Sequence, residues 1–340
     1  MNLRENRMTS WIRSRLVRNA PGPVAVRFHE NPIITTEMLP PGHGDNINGP
    51  SLIQVPSWIA DPLGKYYLYF AHHKGTYIRM AYADTLSGPW KVHAPGTLAL
   101  HQCIGHQLPE QGLRERAHIA SPDVLVDPAT RTVVMYFHTL VYTGSDPQNA
   151  RSYQQKTVRA VSPDGVNFTS EDQLLGPPYF RVFRWQEDYY ALTRLGRLFR
   201  SQNGATPFTE GQNPFRGVRH AQRIRHLAVQ VKDDKLVVCF SQFGDKPESI
   251  FCSDIQLSEN WALWKASSPR LVLKPEMSYE GANLPLIASK QGMSTGPCRQ
   301  LRDPAIFTED DNRTFLLYTV AGEMGIAIAE LTEPVHARSS

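Results

Sequence analysis

The chain has 340 residues and a mass of 38.3 kDa, enough for one large domain or two modest ones. Apolar residues make up 41% and charged residues 20%, which excludes a disordered chain, and no run approaches the roughly 18 apolar residues of a membrane-spanning helix. The net charge of +4 is too small and too dispersed for a nucleic-acid binder, although 26 Arg against 10 Lys favours forked recognition of oxyanions.

In chain order, residues 1–23 read as a basic tail without the apolar core of a secretory signal, so a cytoplasmic protein is expected. Residues 24–340 read as one domain, because no linker divides them. Helical periodicity is nearly absent, and 26 Pro and 23 Gly punctuate short runs rich in Tyr, Phe and Val. Five runs look like one repeated central strand: Tyr66–Ala71, Val133–His138, Tyr189–Arg194, Leu236–Ser241 and Phe315–Val320. Each is followed by another short strand, at Tyr77–Ala83, Lys156–Ser162, Gly196–Arg200, Ser249–Ile255 and Gly325–Glu330. Four of these enter turns closing on an aromatic: Trp90, Phe168, Phe208 and Trp261. One small sheet cannot bury both faces alone, but five around an axis bury each other. The expectation is an all-β, five-bladed β-propeller, with 24–35 supplying the strand that the last unit lacks. Two packed sandwiches are the alternative and suit five similar units less well. Cys103, Cys239, Cys252 and Cys298 contain no CxxC pair and are expected to be reduced thiols.

Innermost strands would ring the axis with their first residues. They start at Asn46–Ser51 (NINGPS), His118–Val124, Pro177–Arg184, Arg225–Val229 and Arg302–Phe307. Segments far apart in sequence would so gather Asp123, Arg181, His226, Arg302 and Asp303 around one funnel.

Over roughly residues 30–331 this pattern resembles the five-bladed glycosidase superfamily, which includes glycoside hydrolase families 43, 32 and 117. SPDVLVDPATRTVVMYF (Ser121–Phe137) is similar to the family 43 APDV strand and its successor, and RDPAIFTEDDNRTFLLY (Arg302–Tyr318) to the superfamily's RDP strand. AYADTLSGPW and VSPDGVNF are similar to its blade-closing turns. The resemblance implies a propeller acting on carbohydrate, an exo-acting glycoside hydrolase working by single-displacement inversion, with retention and lyase chemistry as the open alternatives. It implies no required cofactor, with calcium or another ion in the axial channel of some relatives. Asp123 matches the family's pKa-tuning Asp. Asn48 stands where the general base would be, and Leu175–Pro177 (LGP) lacks the acid Glu of the family's EGP.

Hydrolysis needs a proton donor with a raised pKa and a carboxylate that activates water or attacks carbon. The candidates are Asp45, Asp123, Glu280 and Asp303, with His226 as a fifth. Their bland readings are a loop cap, a strand-turn cap, a solvated loop Glu, an Asp-Pro turn and a satisfied polar residue. Substrate-binding candidates are Asn48, His73, His118, His138, Arg181, Arg225, Arg302 and Trp58, with His72 and Trp185 beside them. No HxH or HExxH spacing points to zinc. The expected partner is an oligosaccharide, not nucleic acid or membrane, with a homodimer left open. Nine Arg against three acids over residues 181–225 point to an anionic plant or algal glycan. The rivals are a sugar-binding propeller that has lost its base, which Asn48 would explain, and a protein-interaction scaffold.

Overall fold

The computed structural model describes residues 22–108, 116–144, 146 and 149–333. The expected basic tail lies almost wholly outside the described residues. The strands form five antiparallel sheets. The first blade is β3 (Asn48–Gln54), β4 (Tyr66–Ala71), β5 (Tyr77–Ala83) and β6 (Lys91–Ala99). The second is β7 (Ile119–Asp127), β8 (Thr132–Tyr142), β9 (Tyr153–Ser162) and β10 (Thr169–Ser170). The third is β11 (Arg181–Trp185), β12 (Asp188–Thr193), β13 (Arg197–Ser201) and β14 (Thr209–Glu210). The fourth is β15 (Ile224–Lys232), β16 (Lys235–Gln242), β17 (Ile250–Gln256) and β18 (Arg270–Leu273).

The fifth blade is completed by the other end of the chain. Its strands β19 (Arg302–Thr308), β20 (Thr314–Val320) and β21 (Gly325–Thr332) take β1 (Val24–Arg27) as the outer strand. The short β2 (Ile34–Thr35) also pairs with β21. The expected closure by residues 24–35 is therefore present, and the five predicted central strands are β4, β8, β12, β16 and β20.

Five apolar clusters fill the five seams between blades. Leu68 and Phe70 meet Phe315 and Ile326, Tyr69 and Met80 meet Met135 and Phe137, and Val134 meets Val182 and Phe199. Leu192 and Phe183 meet Leu236 and Phe240, and Ala228 and Ile250 meet Leu316 and Tyr318. Every residue of β4 is buried, because a blade's central strand has a neighbouring blade on each face. Trp90, Phe168 and Phe208 plug their blades as expected. In blade four the plug is Trp264, and Trp261 is only half-buried.

The cysteine expectation is corrected. Register places Cys239 of β16 opposite Cys252 of β17, with Cα atoms 4.1 Å apart, and the two form a disulfide. Cys103 and Cys298 are free. No helix among the described residues is long and apolar enough to cross a membrane.

Candidate functional site

Four of the five inner strands shift register near their starts, at Asn48–Ser51, Ala120–Asp123, Ile224–Leu227 and Arg302–Ala305. Three of these bulges contain the same dipeptide slot: Gly49-Pro50, Ser121-Pro122 and Asp303-Pro304. Proline has no N–H for the ladder, so pairing breaks there and the preceding residue turns towards the axis. That residue has positive φ in all three: Gly49 at 59°, Ser121 at 52° and Asp303 at 44°. Tyr179, just before β11, has φ 68°. Such strain in non-glycine residues is typical of functional sites. The slot equivalent to Asp303 in blade one is thus Gly49 rather than Asn48. A side chain there would bring its Cβ within 3.0 Å of Ser121 Cα, which leaves no room for a carboxylate.

At this end of the axis lies a small pocket of about 10 Å³, room for roughly one water, walled by Asn48, His73, Ala120, Ser121, His138, Tyr179 and His226. Two of its imidazoles are backed by buried carboxylates. His226 Nδ1 contacts Asp303 Oδ1, and His73 Nδ1 lies 3.5 Å from Glu323 Oε2. Burial pushes the Asp303 carboxyl up, but the adjoining His226, with Arg225 and Arg302, outweighs it and holds Asp303 well below the usual carboxylate range. Burial holds His226 below its ordinary value. The consistent state is a neutral imidazole giving its Nδ1 proton to an ionised Asp303, which leaves the Nε2 lone pair for the pocket. Glu323 is also lowered; His73 and Arg302 overcome its burial and the repulsion of Asp303.

Beneath the pocket, Arg302 donates to Glu323 Oε1 at 2.8 Å and to Gln300 Oε1 at 2.6 Å, and its Nε lies 3.5 Å from Glu248 Oε2. Arg225 donates to Glu248 at 3.3 Å and to the carbonyls of Lys290 and Gly292 at 3.2 and 2.7 Å. The long insertion between β18 and β19 therefore covers this cluster. Burial pushes Glu248 up against the opposing pull of Arg225 and Arg302. A row of rings crosses the pocket. His118 meets His138 at 5.6 Å, His138 meets Tyr179 at 4.4 Å, and Tyr179 meets His226 at 5.1 Å. His118 is fixed by the Arg116 carbonyl and Gln155. Asn48 Oδ1 and His138 Nδ1 are buried without a protein hydrogen-bond partner, so they are available to hydroxyl groups entering the pocket.

Of the predicted residues, the axis gathers Asn48, His73, His118, His138, His226, Asp303, Arg225 and Arg302. Asp123 and Arg181 belong to the same ring of inner strands but are bonded within it and do not line the pocket, and the others lie elsewhere. Asp123 accepts from the Val182 amide at 2.6 Å, with Arg181 3.9 Å away, in the seam between blades two and three. Arg181 is taken up by the Leu227 and Pro122 carbonyls. Asp45 is exposed in the loop before β3. Glu280 is buried at the outer edge of blade five. It accepts from Arg27 at 2.7 Å, the Tyr318 hydroxyl at 2.9 Å, and the amides of Glu276 and Met277. Trp58 and Trp185 follow or end their inner strands, so they pack at the opposite end of the blades rather than beside the strand starts.

Glu248 and Glu323 were missed by sequence reasoning. Both sit in loops joining a central strand to the next one, the slot that singles out His72 and His73 after YYLYFA. Applying that slot to AGEMG after Val320 would have found Glu323.

Among the described residues, no group of three or more His, Cys, Asp or Glu is placed to hold a metal ion. Calcium takes six or more oxygens, whereas Glu248, Asp303 and Glu323 are each engaged by guanidinium or imidazole. The donor set does not fit an axial cation, and no step below uses one. A wider hollow of about 410 Å³ at the rim of blade one is lined by His43, Tyr77, His101 and His106. It has no carboxylate in its wall and hence no acid–base pairing like that on the axis.

The chain is 38% identical over 327 residues to the uncharacterized protein R118 of Acanthamoeba polyphaga mimivirus, covering 90% of each. It belongs to the same family as that viral protein. No family model matches the chain. Solved propellers share its fold at low identity. A glycosyl hydrolase from Bacteroides ovatus aligns with TM-score 0.60 at 8% identity, covering 93% of this chain and 95% of that one. A family 130 structure, from work on mannoside phosphorylases and hydrolases of β-1,2-mannosidic linkages in Candida mannan, gives TM-score 0.60 at 10% identity, with coverage of 93% and 95%. A family 43 enzyme from Xanthomonas citri, complexed with xylose, gives 0.56 at 13%, with coverage of 95% and 93%.

Proposed function

We propose that this propeller is a glycoside hydrolase that removes single sugars from a chain end at the mouth of the axial pocket. The observation that carries this reading is the Asp303–His226 pair opening into that pocket, with a second imidazole, His73, backed by Glu323 across the same small space. Two buttressed imidazoles can supply one proton acceptor and one donor, which are the two transfers that cleavage of a glycosidic bond requires. His226, neutral and oriented by Asp303, is the base that activates water. His73, facing Glu323, is the donor to the leaving oxygen. Water attacking from the side opposite the donor inverts the anomeric carbon. The enclosed part of the pocket is about 10 Å³, room for roughly one water, which suits the attacking water with the terminal sugar ring seated at the pocket mouth. Asn48 and His138 offer unused polar atoms to its hydroxyls. The propeller neighbours named as glycoside hydrolases support the class of activity.

The test is incubation with a panel of neutral and acidic plant and algal oligosaccharides, with products read for released monosaccharide, new reducing ends and unsaturated sugars. Monosaccharide with a new reducing end is expected, and the anomer first formed, read by NMR, should be inverted. Unsaturated products would replace hydrolysis by elimination. Sugar binding without any cleavage would make the chain a binding module.

A further inference from the structure

Of the nine Arg over residues 181–225, Arg216 and Arg219 are exposed and outside the pocket wall, and among the rest one guanidinium beside the pocket stays unspent. Arg181 is spent on the Leu227 and Pro122 carbonyls beside Asp123, and Arg225 on Glu248, Lys290 and Gly292. Arg184, Arg197, Arg200 and Arg223 pair with Glu187, Glu210, Asp188 and Asp245. Arg194 differs. It directly follows β12, in the loop after the central strand that in blade one carries His73 and in blade five Glu323. It is half-buried, with its guanidinium 5.6 Å above the Tyr179 ring. Among the described residues no carboxylate or carbonyl accepts from it. Tyr179 is itself a wall of the axial pocket, its ring tilted against those of His138 and His226.

A cation over a ring face is held by the ring without spending its N–H groups. Arg194 is therefore fixed at the pocket edge with a planar fork of donors free, and a carboxylate is the group that matches such a fork with two parallel hydrogen bonds. Resting on the glycan-cleaving reading above, we infer that Arg194 recognises the carboxylate of a hexuronate, so that the substrate is an acidic glycan ending in a uronic acid.

Hexuronate-terminated oligosaccharides and their carboxyl-reduced copies give acidic and neutral partners matched in size and linkage. Cleavage and equilibrium binding are measured for each pair with the full chain as wild type, Arg194→Ala and Arg194→Lys, and thermal melting shows that each variant folds. In wild type the acidic member should be favoured roughly 10- to 100-fold, the scale of a charge-assisted hydrogen-bonded pair. Arg194→Ala should erase the preference while neutral members are handled as before. Arg194→Lys should keep part of it at low salt and lose it at high salt, and it carries the comparison if the Ala variant does not fold. Cleavage of neutral members as well as acidic ones, a preference that survives Arg194→Ala, or better cleavage of a sulfated neutral glycan would overturn the inference and leave the glycosidase reading standing. Neither cleavage nor binding of any member would overturn both.

Discussion

His138 shows how the site's chemistry is set one residue at a time. It is 2% exposed, and burial drives its pKa well below the ordinary 6.5, helped by the charges of His118, His73, His226 and Arg181. As pH falls, the unfolded chain takes up this proton before the folded one does. The stability so contributed is full above about pH 6.5 and is lost as pH falls from there towards the folded value. One uncompensated proton gives a slope approaching about 1.4 kcal/mol per pH unit. Melting temperature should therefore drop between about pH 7.5 and about pH 5.5, and the drop should be smaller in His138→Gln. An identical drop in the variant would show that His138 is not the group kept neutral. At this scale the sequence was partly legible. Asp303 and His226 stand out because RDP and RHLAV begin inner strands. Glu248 and Glu323 do not, because a lone Glu in a Gly- or Pro-containing loop is ordinary until the loop's place in the repeat is used. Glu280 misleads in the other direction, since nothing local reveals Arg27, a residue 253 positions away, as its partner.

The elements carry the site through their irregularities. Regular inner strands would alternate their side chains between the two blade faces, whereas the bulges at Asp303-Pro304 and Ser121-Pro122 turn one residue per blade towards the axis. The X-Pro dipeptides at strand starts were visible in the sequence; their φ values, and the crowding that makes Gly49 obligatory, were not. The insertion before β19 divides its work. Its first part delivers Glu280 to Arg27 and Tyr318, locking the closing strand β1 to blade five. Its later part delivers the Lys290 and Gly292 carbonyls to Arg225. Glu280→Gln would set an amide N–H₂ against the Arg27, Glu276 and Met277 donors and should cost about 1–3 kcal/mol of stability. Turnover at temperatures where the variant is folded should stay within roughly threefold of wild type, because the axis is untouched. A large loss of turnover with an unchanged melting curve would return Glu280 to the acid candidates.

At the scale of the molecule, five seams and one closing strand make a ring around the axial pocket. The repeat was legible because each blade's central strand must be apolar on both faces, so YYLYFA, VVMYFH and FLLYTV look alike. The disulfide was not, because pairing Cys239 with Cys252 depends on the register of β16 and β17 and leaves no spacing signature. The ring has a functional consequence. Asp303 and His226 come from blades five and four, His73 from blade one and Tyr179 from the start of blade three, so no one blade holds the proposed acid–base groups. The measurement that tests this most directly is kcat/KM of Asp303→Asn against wild type on the glycan that the panel identifies, with melting curves for both. The neutral amide introduced by that substitution could neither carry a charge nor hold the His226 proton as a carboxylate does, so the account predicts a loss of at least about 100-fold in a variant that still folds. Turnover equal to wild type would contradict it.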